Sequence, residues 1–125
     1  MCPPNVIPPR LARVYVAGPL NAMAIDYINN CRSMMQAADE LRVMGYSVYV
    51  PCLDLLMGLA VRNEWDYEDY FGNSQPWLMA ADAVYLCPGW EDSKGTRREK
   101  ALADQLGIPT FTSTRELFVK ISSPI

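Results

Sequence analysis

The sequence predicts a three-layer α/β fold, a parallel sheet of four or five strands with helices on both faces. Short β-rich runs alternate along the chain with amphipathic helical stretches, and two of those stretches stop at a glycine just before the next run, at Gly45 and Gly107. The connections between runs are long enough to carry a helix, which parallel neighbours require. Half of the residues are hydrophobic and a fifth are charged, so an ordinary core can form and disorder is not expected.

Residues 1–11 hold four of the ten prolines and read as an extended Pro-rich tail, leaving residues 12–125 as a single domain. Arg13-Val-Tyr-Val-Ala17 is a β-rich run closed by the turn signal Gly18-Pro19. From 22 to 44 apolar residues recur at helical spacing (Ile25, Ile28, Cys31, Met34 or Met35, Ala38, Leu41), and Gly45 caps that helix. Residues 46–50 form a second strand ended by Pro51. Residues 53–61 read as an apolar helix, 63–70 (NEWDYEDY) are acidic and aromatic, and Gly72-Asn-Ser-Gln-Pro76 breaks the pattern. A helix resuming at 77–81 leads into a third strand at 83–87. After the loop Pro88-Gly89-Trp90 come a helix at 93–106, a fourth strand at 108–112 and a last helix at 114–121. In such a Rossmann/flavodoxin-like sandwich ligands sit at the carboxyl ends of the strands, so the loops after Ala17, Val50 and Cys87 are the places to look.

Composition narrows the chemistry. Eleven basic residues against fourteen acidic ones give a net charge of −3, which argues against a nucleic-acid polymer as partner. The longest uncharged runs, 14–25 and 70–81, span about 12 residues, short of the roughly 18 a bilayer needs. The opening MCPPNVIPPR shows no cationic region followed by an apolar one, so a cytoplasmic protein is expected. Cys2, Cys31, Cys52 and Cys87 form no CxxC pair, which fits reduced, mostly buried thiols and no zinc site. Histidine is absent, removing the commonest general acid/base and the His-based nucleophile and metal systems. Any catalysis has to use carboxylates, hydroxyls, thiols, amines or the backbone.

Three segments offer such groups. Ala17-Gly18-Pro19-Leu20-Asn21 can bring backbone close to a ligand or can be a simple tight turn. It is neither GxGxxG nor a P-loop. Gly89-Trp-Glu-Asp-Ser-Lys-Gly-Thr-Arg-Arg-Glu99 enters a helix whose first turn is expected to hold Glu99, where the helix dipole favours the anion. An anionic carboxylate in a cleft can attack an anomeric carbon, with Ser93 and the amides near Gly95 binding a hydroxyl or phosphate. Thr96-x-x-Glu99 is equally a capping-box spacing, which needs no substrate. In Glu64-Trp-Asp-Tyr-Glu-Asp-Tyr70, Asp66 and Asp69 share a helix face beside aromatic rings, suiting either protonation of a leaving base or a solvated acidic helix. Asp82 precedes the third strand and can pin its start.

The succession strand-AGP-long helix-GYxVxxP, then ADAV-strand-GWxxSxGxxxE-helix-G-strand, resembles the nucleoside 2-deoxyribosyltransferase superfamily. The matching pieces are Tyr15 to Pro19, Gly45 to Pro51, Ala81 to Val84 and Gly89 to Glu99, within residues 13–112. The look-alikes are small bacterial and phage proteins, and the superfamily includes the 2′-deoxynucleoside 5′-phosphate N-hydrolases. The resemblance implies cleavage of an N-glycosidic bond in a nucleoside or nucleoside 5′-monophosphate, by hydrolysis or base transfer, without metal or organic cofactor. It makes Glu99 the nucleophile and Ser93 a contact to sugar or phosphate, with Tyr15, Gly18, Pro19, Asn21, Trp90 and Gly95 lining the substrate. The family's aspartate falls on Ser74 in an ungapped count and on Asp69 with a gap at 71–75; Asp69 is the expected choice. A homo-oligomer is implied as well. The alternative is a non-catalytic nucleotide-binding or sensing module on the same fold.

Overall fold

Period-two alternation in Arg13–Ala17 (β1) divides the core between the two faces of a sheet. The computed structural model describes residues 12–19, 24–54, 57, 60–61 and 64–122. Four strands, β1, β2 (Ser47–Tyr49), β3 (Ala83–Leu86) and β4 (Thr110–Phe111), lie parallel in the order β2-β1-β3-β4. The helices are α1 (Ala24–Val43), α2 (Tyr67–Met79), α3 (Lys94–Gln105) and α4 (Thr114–Ser122), with short 3₁₀ turns at Pro51–Leu53 and Trp90–Asp92. Val14 and Val16 join Tyr85, Cys87 and Phe111 against Met34, Ala38 and Leu41 of α1 and Leu117 of α4. Tyr15 and Ala17 join Val84 and Leu86 on the opposite face, against Leu78 of α2 and Ala103 of α3. The α/β expectation therefore holds, with four strands among the described residues.

Local chemistry sets the boundaries. Gly45 and Gly107 both take positive φ (103° and 73°), and each ends its helix in a Schellman motif. After α1, Gly45 N donates to Arg42 O and Tyr46 N to Leu41 O; after α3, Gly107 N donates to Asp104 O and Ile108 N to Ala103 O. Asp82 pins the start of β3 as expected: its carboxylate accepts from Arg13 N at 2.7 Å, and its own N–H donates to Arg13 O.

Two expectations need correcting. Gly72 and Pro76 do not break α2, which runs through both as one helix. Pro76 deprives the Gly72 carbonyl of its usual donor, but both residues are exposed, where water can satisfy that group. Meanwhile Phe71, Ser74 and Leu78 keep one buried face, and that packing holds the helix together. In α1 the buried stripe is Met34, Ala38 and Leu41, whereas Ile25 and Ile28 are 74% and 65% exposed. The first turns of α1 border a cleft through Tyr27 rather than covering the sheet. The Pro-rich tail, Cys2 and residues 55, 56, 58 and 59 of the helix expected at 53–61 lie outside the described residues.

Leu41 is fully buried and also faces Tyr46 across the Schellman turn. Leu41→Ala is expected to cost about 2–5 kcal/mol of stability. Urea denaturation reads this as a lower midpoint with little change in slope.

Candidate active site

The parallel register pairs Tyr15 of β1 with Tyr49 of β2, so both phenols rise from the same face of the sheet. Their rings stack at 5.6 Å between centroids, and Trp77 of α2 stacks on the far side of Tyr49 at 5.5 Å. Each phenol holds a carboxylate. The Tyr15 hydroxyl donates to Glu99 Oε2, and the Tyr49 hydroxyl lies 3.0 and 2.9 Å from Asp54 Oδ1 and Oδ2. Asn73 of α2 adds a donor to Asp54 Oδ2 at 3.2 Å. Glu99 and Asp54 line one cleft together with Gly18, Met34, Ser74, Ser93 and Thr96 and four aromatic residues, Tyr27, Tyr67, Tyr70 and Phe71. The cleft holds about 180 Å³, several times the roughly 30 Å³ of one water. It lies where chain order reverses between β1 and β3, as the fold predicts.

Burial raises Glu99 from the ordinary 4.5 to about 7, and the hydrogen bond from Tyr15 opposes only part of that rise. Desolvation and the adjacent Glu99 push Tyr15 well above 10, so the phenol stays protonated and donating. Burial and Asp54 likewise raise Tyr49. Cys87 is pushed up to about 12 by burial alone, which keeps it an inert thiol.

The structure places the expected residues unevenly. Tyr15, Gly18, Ser93, Gly95 and Glu99 come together. Gly18 is packed so tightly that a Cβ there would meet Cys87 Cβ and Met34 Cγ at 3.0 Å. Pro19 packs beside Gly89, and Trp90 is half-buried under Lys100 with its ring facing the core; neither lines the cleft. Asn21 lies outside the described residues. Glu99 is the sixth residue of α3 rather than part of its first turn, so the dipole argument fades and burial sets its proton affinity instead. The Thr96–Glu99 capping box does not form; Ser93 is the cap, its Oγ accepting from Thr96 N. Asp69 is spent on a different box: it and Asp66 exchange backbone-to-carboxylate bonds of 2.9 Å at the start of α2, exposed and away from the cleft lining. Ser74 does line the cleft and carries no charge.

Sequence reasoning missed Asp54, Tyr49 and Asn73. One signal was available, since Asp54 is the only charged residue between Arg42 and Arg62. A lone carboxylate in so apolar a stretch, 7% exposed, has to meet donors.

Residues 12–112 match the protein family described as "Domain of unknown function (DUF4406)". The chain belongs to that family. The matched span carries the four described strands, and with them Tyr15, Tyr49, Asp54 and Glu99. No curated protein matches the sequence. Among solved structures, a 2-deoxyribosyltransferase from the psychrotolerant bacterium Bacillus psychrosaccharolyticus is similar to this DUF4406 chain. The TM-score is 0.57 at 23% identity, covering 79% of this chain and 69% of that one. At that identity the likeness is one of fold.

A carboxylate that binds its proton more tightly when folded stabilises the protein at acid pH. For Glu99 that contribution is complete below about 4.5 and is lost as pH rises through about 7. Glu99→Gln is therefore expected to gain on the parent by on the order of 1–3 kcal/mol at pH 8 relative to pH 4. Chemical denaturation at the two pH values measures the difference. A second expectation concerns Tyr15→Phe, which removes the bond that lowers Glu99 and should move its carboxyl titration upward by NMR.

Proposed function

We propose that this protein cleaves the N-glycosidic bond of a nucleoside or nucleoside 5′-monophosphate, with Glu99 as nucleophile. The observation that carries the reading is the pair of tyrosine-held carboxylates, Glu99 and Asp54, lining one aromatic-walled cleft. Tyr15 occupies Oε2 of Glu99, which leaves Oε1 free to attack C1′. As the new C1′–O bond forms, the C1′–N bond breaks and its electron pair leaves with the base. Asp54 takes the part expected of Asp69: it orients the departing base and relays to it, from water, the proton the base needs. Aromatic rings offer stacking surface for a nucleobase. Water then attacks C1′ in hydrolysis, or a second base in transfer, and releases Glu99. The scheme needs no metal or organic cofactor.

A cytoplasmic setting belongs to the same reading, supported by the free thiols at Cys31, Cys52 and Cys87. Among the described residues no helix is long and apolar enough to cross a membrane. A homo-oligomer is part of the proposal too, and the exposed Ile25 and Ile28 of α1 support it.

The test incubates the protein with a panel of nucleosides and 5′-monophosphates and measures free base by chromatography. Glu99→Gln is expected to lower turnover by about 10³-fold or more, and kcat/KM should rise with pH through about 7 as Glu99 ionises. Turnover that survives in Glu99→Gln would sink the assignment. Asp54→Asn should cost on the order of 10²-fold in turnover. Asp69→Ala should cost only about 0.5–2 kcal/mol of stability, as the loss of a cap does. Reversed effects of those two variants would return the acid's role to Asp69.

A further inference from the structure

Tyr67, the first residue of α2, lines the cleft beside the start of α3. Its ring lies so near Gly95 that a Cβ there would come within 3.3 Å of both Cε2 and Oη. The ring is backed by others: it stacks on Phe71 with centroids 6.2 Å apart, and the Arg98 guanidinium sits 3.8 Å from the Phe71 centroid and 5.6 Å from that of Tyr67. Arg98 is itself bonded to Glu68 at 2.8 Å, so this cation is engaged by rings and a carboxylate and does not line the cleft. Among the described residues no lysine or arginine lines it, whereas two carboxylates do. Ser93 Oγ already accepts from the amide and the hydroxyl of Thr96. A helix start of this kind ordinarily welcomes an anion, but here an aromatic ring lies against it at Gly95 and presents a phenol hydroxyl there instead.

Strand order gives a substrate its direction. Asp54 follows β2, Gly18 follows β1, and Ser93 and Gly95 follow β3, so Asp54 and Gly95 flank Gly18 from opposite sides. In a nucleoside the base and the 5′ carbon are carried on C1′ and C4′, the two carbons flanking the ring oxygen. With the base toward Asp54, the 5′ group points to Tyr67 and Gly95. We infer that the cleft selects the uncharged nucleoside over its 5′-monophosphate, and that Tyr67 is the residue that sets this choice. The inference rests on the N-glycosidase reading above. Asp54 repels a phosphate dianion, among the described residues no lysine or arginine in the lining offsets it, and the Tyr67 ring lies against Gly95 where the phosphate would point.

The experiment titrates the full chain carrying Glu99→Gln, which blocks turnover, with each 2′-deoxynucleoside and its 5′-monophosphate by calorimetry. Nucleosides are expected to bind about tenfold tighter or more, a gap of about 1.4 kcal/mol. Adding Tyr67→Ala should narrow the ratio to about threefold by tightening monophosphate binding, while Tyr67→Phe keeps the ring and most of the ratio. Circular dichroism confirms that each variant is folded. Monophosphates binding as tightly as nucleosides in the presence of Tyr67 would overturn this inference and leave the N-glycosidase reading standing. A ratio unchanged by Tyr67→Ala would remove Tyr67 from the choice. Binding of neither ligand class would overturn both.

Discussion

The pairing of Tyr15 with Tyr49 across β1 and β2 is the constraint on which the rest of the site depends. Strand side chains alternate, so a slip of one residue would turn Tyr49 to the opposite face of the sheet and strand Asp54 without its phenol. In the observed register both rings face α2 and α3 and stack on each other, and each aims its hydroxyl at a carboxylate delivered by a different connection. Glu99 arrives from α3 and Asp54 from the turn after β2. The sheet thus converts a backbone register into a spacing between two acids. Tyr15 is fully buried and Tyr49 is clamped between Tyr15 and Trp77, so neither phenol can wander.

The two carboxylates sit in different surroundings, which is what separates the roles proposed for them. Glu99 has one donor, Tyr15, and is half-buried in the cleft; burial leaves it a carboxylate with a high proton affinity and one free oxygen. Asp54 is more thoroughly engaged, with both oxygens near the Tyr49 hydroxyl and one also near Asn73. Paired acids whose environments differ in this way commonly divide nucleophilic and proton-handling work between them. Helix α2 serves both: Asn73 braces Asp54, Ser74 stands beside Tyr15, and Tyr67, Tyr70 and Phe71 wall the cleft.

Much of this was legible in the sequence, and the exceptions have physical causes. Strands β1 to β4, helices α1, α3 and α4 and the capping glycines followed from period and turn chemistry, because in those segments local preference and tertiary packing agree. Helix α2 was hidden because Gly72 and Pro76 carry breaker signals on its exposed side, while the packing of Phe71, Ser74 and Leu78 overrides them. Glu99 and Ser93 could be read from one motif in one segment. Asp54 could not, since its partners lie on a neighbouring strand and a distant helix, and only the fold brings them together. Asp69 was ambiguous for a related reason. Its spacing from Asp66 suited a catalytic helix face and a helix cap equally well, and the choice turns on where the helix begins, which is the least legible feature of any helix.

Fold alone does not assign the chemistry, since α/β sheets of this kind host many reactions. The case for an acid-driven one comes from what the chain lacks as well as from what it has. Without histidine, no side chain titrates near neutrality at its ordinary pKa, and any proton moved at that pH has to be handled by a perturbed group. Burying Glu99 beside Tyr15 creates one, a carboxyl that ionises at about 7. A desolvated anion with a single hydrogen bond is also a better nucleophile than one bathed in water, because less solvation has to be stripped before it attacks. The same burial therefore supplies both the titrating group that the composition withholds and the reactivity that the proposed attack on a sugar carbon demands.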